Sequence, residues 1–156
     1  MNTSTQSSGT DTIRKQVQVK ADIGRVWKAL TDHREFGTWF RVSLAEPFAV
    51  GKRVKGNILY PGYEHLEFQC VVERMDEPRL FSFRWHPYAV DPKQDYAKEP
   101  MTLVELRLEE VKGGTLVTVI ESGFDRIPSG RRAEAFRMND GGWAEQMGNI
   151  KKHVDG

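Results

Sequence analysis

A chain of 156 residues has the usual length of one domain and is long enough to bury one core. Its 23 basic and 22 acidic side chains nearly cancel, which argues against a nucleic-acid or membrane-surface binder. Cys70 is the only cysteine, so neither an internal disulfide nor a cysteine-based metal site can form. The sequence shows no signal peptide and no apolar run of membrane-spanning length, so we expect a cytoplasmic protein.

The N-terminal segment differs in composition from the rest of the chain. Residues 1–11 are rich in serine and threonine and contain no large hydrophobic residue beyond Met1. Such a segment cannot bury enough apolar surface to fold, so we predict a disordered tail. Residues 12–156 are then expected to form a single domain.

The first half of this domain begins with a strand and two short helices. Alternation of apolar and polar residues predicts a strand over residues 13–20. Asp22 is a helix cap, because its carboxylate can accept from free N–H groups of the first turn. The helix over residues 23–30 is followed by a second over residues 33–38 and by the aromatic pair Trp39-Phe40.

A run of strands follows the two helices. Apolar residues on one face and turn signals predict strands over residues 53–60, 65–75, 80–85 and 102–111, and a run of β-branched residues predicts a fifth over residues 115–122. Residues 86–100 lack any periodicity and form a long loop, and loops of this length are usually functional or mobile. The short turn at 112–114 indicates a hairpin, so the sheet should be antiparallel.

The last helix carries an apolar stripe that has a polar interruption at its centre. The stripe consists of Phe136, Trp143, Met147, Ile150 and Val154. Asp140 lies between Phe136 and Trp143 at helical spacing and is followed by Gly141 and Gly142. Each glycine costs a helix interior about 1 kcal/mol relative to alanine. We therefore predict that the helix covers a cavity and that its middle turn faces the cavity.

The order of elements predicts an α+β fold in which one long helix covers a curved antiparallel sheet of six strands. This order resembles the helix-grip fold of the START and birch-pollen-allergen superfamily, also called SRPBCC. The chain is most similar to the family related to the C-terminal domain of the heat-shock protein 90 ATPase activator. The similar stretches are residues 26–32, 39–40, 113–115, 119–124 and 142–150.

The resemblance implies that a small apolar molecule binds between sheet and helix. Some superfamily members are enzymes, such as aromatase/cyclases and hydratases, so a lyase or cyclase is an alternative hypothesis. A chaperone co-factor that acts through its surface is a third hypothesis. The eukaryotic activators carry an additional N-terminal domain, whereas this sequence shows only a short polar tail there, which argues against an activator role. A homodimer is also left open, and we expect no cofactor.

Three residues are candidates for acid/base catalysis. Asp140 could anchor a ligand or transfer a proton, or it could face solvent or cap a restarted helix. Glu121 could point into the cavity, where burial would raise its pKa. It could instead lie at the rim and pair with an arginine among residues 126–132. His86 could lie at the cavity mouth or be a loop histidine without a role, and no two histidines have metal-ligand spacing.

Aromatic residues provide the main evidence for a binding cavity. They come from the helices and the sheet, and a helix-grip arrangement would bring many of them together, some in the core and others around a cavity. The predicted ligand-contacting residues are Trp39, Phe40, Phe68, Phe81, Phe83, Trp85, Tyr88, Phe136, Asp140, Trp143 and Met147.

Overall fold

The computed structural model describes residues 11–91 and 93–156. Strand β1 (Thr12–Val19) leads into helices α1 (Ile23–Thr31) and α2 (His33–Phe40). The strands that follow are β2 (Val42–Leu44), β3 (Arg53–Ile58), β4 (Glu67–Asp76), β5 (Leu80–Trp85), β6 (Thr102–Val111) and β7 (Gly114–Ser122). A 3₁₀ turn (Phe124–Arg126) precedes the long helix α3 (Ser129–Asp155). No helix in these described ranges is long and apolar enough to cross a membrane.

The predicted tail of residues 1–11 lies outside the described residues except for Asp11. The Asp11 carbonyl accepts the N–H groups of Gly123 and Phe124 at 3.2 and 3.3 Å. Its carboxylate accepts the N–H of Asp125 at 3.1 Å. Asp11 therefore belongs to the folded domain, because it is tied to the end of β7.

Two aspartates begin the short helices. Asp22 caps α1 by accepting the N–H of Arg25 at 2.8 Å, as the sequence predicts. Asp32 caps α2 by accepting the N–H of Arg34 at 2.9 Å. Helix α2 continues to Phe40, two residues beyond its predicted end, and Arg41 ends it with a left-handed backbone at φ 65°. Phe40 is thereby placed in the last turn of a helix.

The described strands form one antiparallel sheet of seven strands in the order β1-β7-β6-β5-β4-β3-β2, not the predicted six. The additional strand is β2, which pairs with β3 through Leu44 and Gly56. A side chain at position 56 would collide with the carbonyl of Ser43, so glycine permits this close approach. Three residues are too few to show alternation, and β2 exists because β3 provides its hydrogen-bonding partner.

Helix α3 covers the inner face of the sheet, which confirms the predicted α+β helix-grip architecture. Trp143, Met147 and Ile150 of α3 are buried against this face. Val117 and Val119 of β7 face the same core. Burying each of these side chains stabilises the fold by about 2 kcal/mol. Ala135 in the N-terminal half of α3 is buried as well, so both halves of the helix are packed, while the turn that carries Gly141 and Gly142 lines an open space.

Candidate functional site

An open cleft of about 590 Å³ lies between the middle of α3 and the segments that follow β3 and β5. Three aromatic rings line part of it, those of Phe40, Trp85 and Trp143, which we call the aromatic floor. Tyr60 and Tyr88 line the cleft on its two sides. Its size lies within the range of small-molecule sites, which are concave and mostly apolar.

The three rings of the aromatic floor contact one another. The Trp85 and Trp143 centroids are 5.8 Å apart, with 30° between the ring planes. Phe40 lies 6.1 Å from Trp85 and 6.0 Å from Trp143. These separations are typical of stabilising aromatic pairs. The floor therefore combines the end of α2, the end of β5 and the middle of α3.

A buried carboxylate, Glu121 of β7, fixes the two indoles from beneath. Its Oε1 accepts from Trp143 Nε1 at 2.8 Å, and its Oε2 accepts from Trp85 Nε1 at 2.7 Å. Thr102 Oγ1 donates to Oε2 at 2.5 Å, and Asn139 Nδ2 donates to Oε1 at 3.0 Å. Because an indole can only donate, each ring depends on this carboxylate for its hydrogen bond.

Burial raises the pKa of Glu121 above its ordinary value, and the hydrogen bonds from Thr102, Trp85, Trp143 and Asn139 act in the opposite direction. Within the described ranges, no lysine, arginine or histidine forms an ion pair with Glu121. The carboxylate is therefore stabilised by neutral donors alone. Both of its oxygens are occupied, so the geometry makes Glu121 a residue that positions the floor.

The strand pattern explains why Glu121 points inward. Successive side chains of a strand point to opposite faces, so Val119 and Glu121, two residues apart on β7 and both fully buried, share the face covered by α3. The alternative of a rim carboxylate paired with an arginine is therefore wrong. Arg131 pairs with Glu99 instead, and Arg132 donates to the carbonyl of Ile127.

A chain of hydrogen bonds joins the side of the cleft at Tyr60 to α3. Asn149 Nδ2 donates to Tyr60 Oη at 3.2 Å and to Gln146 Oε1 at 3.1 Å. Gln146 Nε2 donates in turn to the carbonyl of Phe40 at 3.1 Å. Burial, and then the carboxylate of Glu145, raise the pKa of Tyr60. These bonds fix Tyr60 relative to the aromatic floor.

Arg131 in the first turns of α3 anchors the loop on the other side of the cleft. Its guanidinium donates twice to Glu99 Oε1, at 2.7 and 2.9 Å, and once to the carbonyl of Pro87 at 2.8 Å. It also lies 4.7 Å from the ring centroid of Tyr96. These contacts hold the segment that carries Tyr88, whose backbone has a positive φ of 48°.

Comparisons with known proteins agree with this architecture. The sequence profile described as activator of Hsp90 ATPase homolog 1-like protein matches residues 20–155. The chain belongs to the activator of Hsp90 ATPase homolog 1-like family. A comparison with curated proteins finds no significant match.

Solved structures similar to this family member share its fold. DynU16, a protein of the dynemicin biosynthetic locus, has a TM-score of 0.70 and 24% identity over 92% of this chain and 47% of its own, so this chain spans about half of it. MLL2253 from Mesorhizobium loti has a TM-score of 0.72 and 20% identity over 92% and 96% of the two chains. The Aha1 dimer from Colwellia psychrerythraea has a TM-score of 0.69 and 16% identity over 92% and 96%. These identities establish the fold alone.

The predicted ligand-contacting residues of this family member divide between the cleft and the core. Those that line the cleft are Phe40, Trp85, Tyr88 and Trp143. Those packed in the core away from it are Trp39, Phe68, Phe81, Phe83 and Met147. Phe136 packs against Phe124 at 5.2 Å between ring centroids. Alternation predicts that a ring is buried, but it does not show whether the ring meets other side chains or a void.

Two of the predicted acid/base residues lie outside the cleft. Asp140 is 43% exposed, and its Oδ1 lies 3.1 Å from Nζ of Lys15 on β1. Three residues along a helix leave it rotated by about 60° from Trp143, so it reaches the edge of the sheet rather than the cleft. The Nε2 of His86 lies 3.1 Å from the carbonyl oxygen of Glu99, and His86 lines a second, more polar cleft of about 530 Å³.

Several residues that line the cleft were not predicted from the sequence. They include Ile58, Tyr60, Tyr63, Leu66, Asn139 and Gln146. Tyr60 and Tyr63 flank the turn at Pro61-Gly62, and a pair of aromatic residues beside a turn is a signal that could have been used. The hydrogen-bond donors to Glu121 had no such signal, because Thr102 and Asn139 meet Glu121 only through the fold.

The structure offers no group of metal ligands in the part of the chain that it describes. No three histidine, cysteine or acidic side chains of residues 11–91 and 93–156 come together in a group that could hold a metal ion.

Proposed function

We propose that the protein binds a small hydrophobic or aromatic molecule in the cleft between α3 and the sheet. The observation that supports this proposal is the aromatic floor, whose two indoles are fixed by one buried carboxylate beneath an open cleft of about 590 Å³. Rings that are already fixed lose little entropy when a ligand packs on them. A preorganised apolar surface with few polar groups at its edge is typical of a ligand site.

Binding explains the geometry better than lyase or cyclase chemistry does. A general acid or base must lie within hydrogen-bonding distance of its substrate. Asp140 and His86 do not line the cleft, and Glu121 lies beneath the floor with both oxygens bonded. The titratable groups at the cleft itself include Tyr60 and Glu145, which serve here as polar contacts at its edge.

Three further expectations stay predictions. A cytoplasmic location agrees with Cys70 being a free, buried thiol. A chaperone contact rests on the family's name, and a homodimer rests on the relative that was solved as a dimer. Sedimentation velocity of the full chain at several concentrations tests the dimer.

A thermal-shift screen of the full chain against aromatic compounds and lipids, with native mass spectrometry of the purified protein, tests the proposed function. We expect some aromatic compounds to raise Tm, because a ligand that binds only the folded state stabilises it by mass action. If no compound of any class raises Tm, the proposal is refuted.

A matched pair of variants assigns any binding to the cleft. Ile58 lines the cleft, whereas its neighbour Leu59 does not line it and is 51% exposed. Ile58→Lys should abolish the ligand-induced shift, because it places a charge on an apolar wall. Leu59→Lys adds the same charge outside the cleft and should leave the shift unchanged, and circular dichroism checks that both variants fold.

A further inference from the structure

Two adjacent glycines form part of the helical wall of the cleft. Gly141 and Gly142 lie in the interior of α3, line the cleft and are exposed. A Cβ added to either glycine would meet no atom within 4 Å. By contrast, a Cβ at Gly37 or Gly56 would collide with a neighbouring backbone carbonyl. Packing within the described structure therefore requires glycine at positions 37 and 56 but not at 141 and 142.

The two glycines expose one turn of the helix backbone to the cleft. Met138 lies one turn before them and Glu145 one turn after, and both line the cleft. Between these side chains, about 5.4 Å of the helix surface carries no Cβ. Glycine is unfavourable in a helix interior, but it allows a ligand to approach the backbone closely. A flat ring fits such a surface better than a branched chain does.

Aromatic side chains from other segments line the same cleft as this bare turn of helix. They are Tyr60, Tyr63 and Tyr88, together with the three rings of the aromatic floor. Aromatic rings pair favourably with one another when they are offset or edge-to-face. A planar aromatic ligand could therefore contact rings on several sides while one face lies on the helix.

The charged side chains that line the cleft are Arg137 and Glu145, and Glu134 lies near Tyr88 on the side of Arg137. Arg137 lines the cleft one turn before Gly141, and no carboxylate in the described ranges forms an ion pair with it. The acidic side chain at the other end, Glu145, already interacts with Tyr60. An anionic group on the ligand would meet the guanidinium, which suits carboxylates and other planar anions.

We propose that the cleft binds a planar aromatic anion, with its ring across Gly141 and Gly142 and its anionic group on Arg137. This inference rests on the proposed function, because it specifies the class of molecule that the same cleft takes.

The test uses 2-naphthoate as the probe, with 2-naphthamide as its neutral analogue, in NMR titrations of the full chain. We expect 2-naphthoate to bind the cleft more tightly than 2-naphthamide. Changing both Gly141 and Gly142 to alanine should weaken 2-naphthoate binding at least tenfold while raising Tm by about 2 °C or more. Arg137→Gln should weaken binding of 2-naphthoate but not of 2-naphthamide.

Gly148→Ala is the matched control. Gly148 lies in the same helix, and a Cβ there also meets nothing within 4 Å, but it does not line the cleft. This variant should also raise Tm, and its affinity for 2-naphthoate should equal that of the native chain.

The outcomes separate this inference from the proposed function. Unchanged 2-naphthoate affinity in the Gly141 and Gly142 double variant, or equal affinity for the two probes, would overturn the inference and leave the proposed function standing. If neither probe shifts any resonance of the cleft while other compounds do so in the wider screen, the inference fails alone. If no compound of any class binds, both fail.

Discussion

Replacing Glu121 by glutamine tests whether one carboxylate holds the aromatic floor. Glutamine has nearly the same shape, but one of its two terminal atoms donates hydrogen bonds and cannot accept them. In the native chain, Trp143 donates to one oxygen and Trp85 donates to the other. Whichever way the amide turns, one indole N–H faces an NH₂ group and loses its acceptor. The hydroxyl of Thr102 can rotate to accept, but an indole has no such freedom.

The expected loss of stability follows from that unpaired donor. A buried polar group left without its partner costs about 1–3 kcal/mol. Glu121 is fully buried, so solvent cannot replace the lost acceptor. We therefore expect Glu121→Gln to lower the free energy of unfolding by about 1–3 kcal/mol near pH 5.

The difference between the two proteins should depend on pH. Burial raises the folded-state pKa of Glu121 above its ordinary value of 4.5, so the folded state keeps a proton that the unfolded state has lost. This contribution to stability is fully present below pH 4.5 and is lost as the pH rises through the raised pKa. Glutamine does not titrate, so the difference in free energy of unfolding between the native chain and Glu121→Gln should shrink over that range. The decrease should be about 1.4 kcal/mol per unit of pKa shift.

Urea denaturation from pH 4.5 to 8, followed by tryptophan fluorescence, measures these differences. Glu105→Gln is the matched control, because Glu105 lies on the neighbouring strand β6 and forms a partly exposed ion pair with Arg107. It should change the stability by less than about 0.5 kcal/mol. Indole N–H resonances give a second readout: those of Trp85 and Trp143 should shift in Glu121→Gln.

The indole resonance of Trp39 should stay in place, because that indole donates to the carbonyl of Ala29 and not to Glu121. A Glu121→Gln variant as stable as the native chain at pH 5, with unchanged indole resonances, would refute the assignment of Glu121 as the common acceptor.

Three further variants or modifications test other contacts. Arg131→Gln removes the guanidinium that donates twice to Glu99 Oε1, so tryptic cleavage of the loop between β5 and β6 should become faster; an unchanged cleavage rate would show that the loop holds without this anchor. Burial raises the pKa of Cys70 to about 12, so its thiol should react with a disulfide reagent only after unfolding, and rapid reaction at pH 8 would contradict its burial. Asp140→Asn removes a part-exposed ion pair with Lys15, so it should change the free energy of unfolding by less than about 1 kcal/mol and leave the affinity for 2-naphthoate unchanged. Weaker binding would show that Asp140 contributes to the ligand site.

The sequence predicted most of the fold because local patterns report burial and capping. The alternation of Val104 and Leu106 and the cap at Asp22 each depend on a few neighbouring residues. The α3 stripe likewise placed Trp143 and Met147 against the sheet. Strand β2 was missed because three residues carry no periodicity, and the chain forms this strand only when β3 lies beside it.

What the sequence determined by itself is the helix-grip architecture and the glycine pair at positions 141 and 142, at the centre of its last helix. The tertiary structure alone decided which polar residue matters there. Asp140 and Glu121 were both candidates, but a rotation of about 60° along the helix turns Asp140 away, and strand pairing turns Glu121 inward. A helical stripe predicts only approximately in which direction a side chain of the helix points. The hydrogen bonds to Glu121, by contrast, join residues of β5, β6, β7 and α3, and these elements meet only in the folded chain.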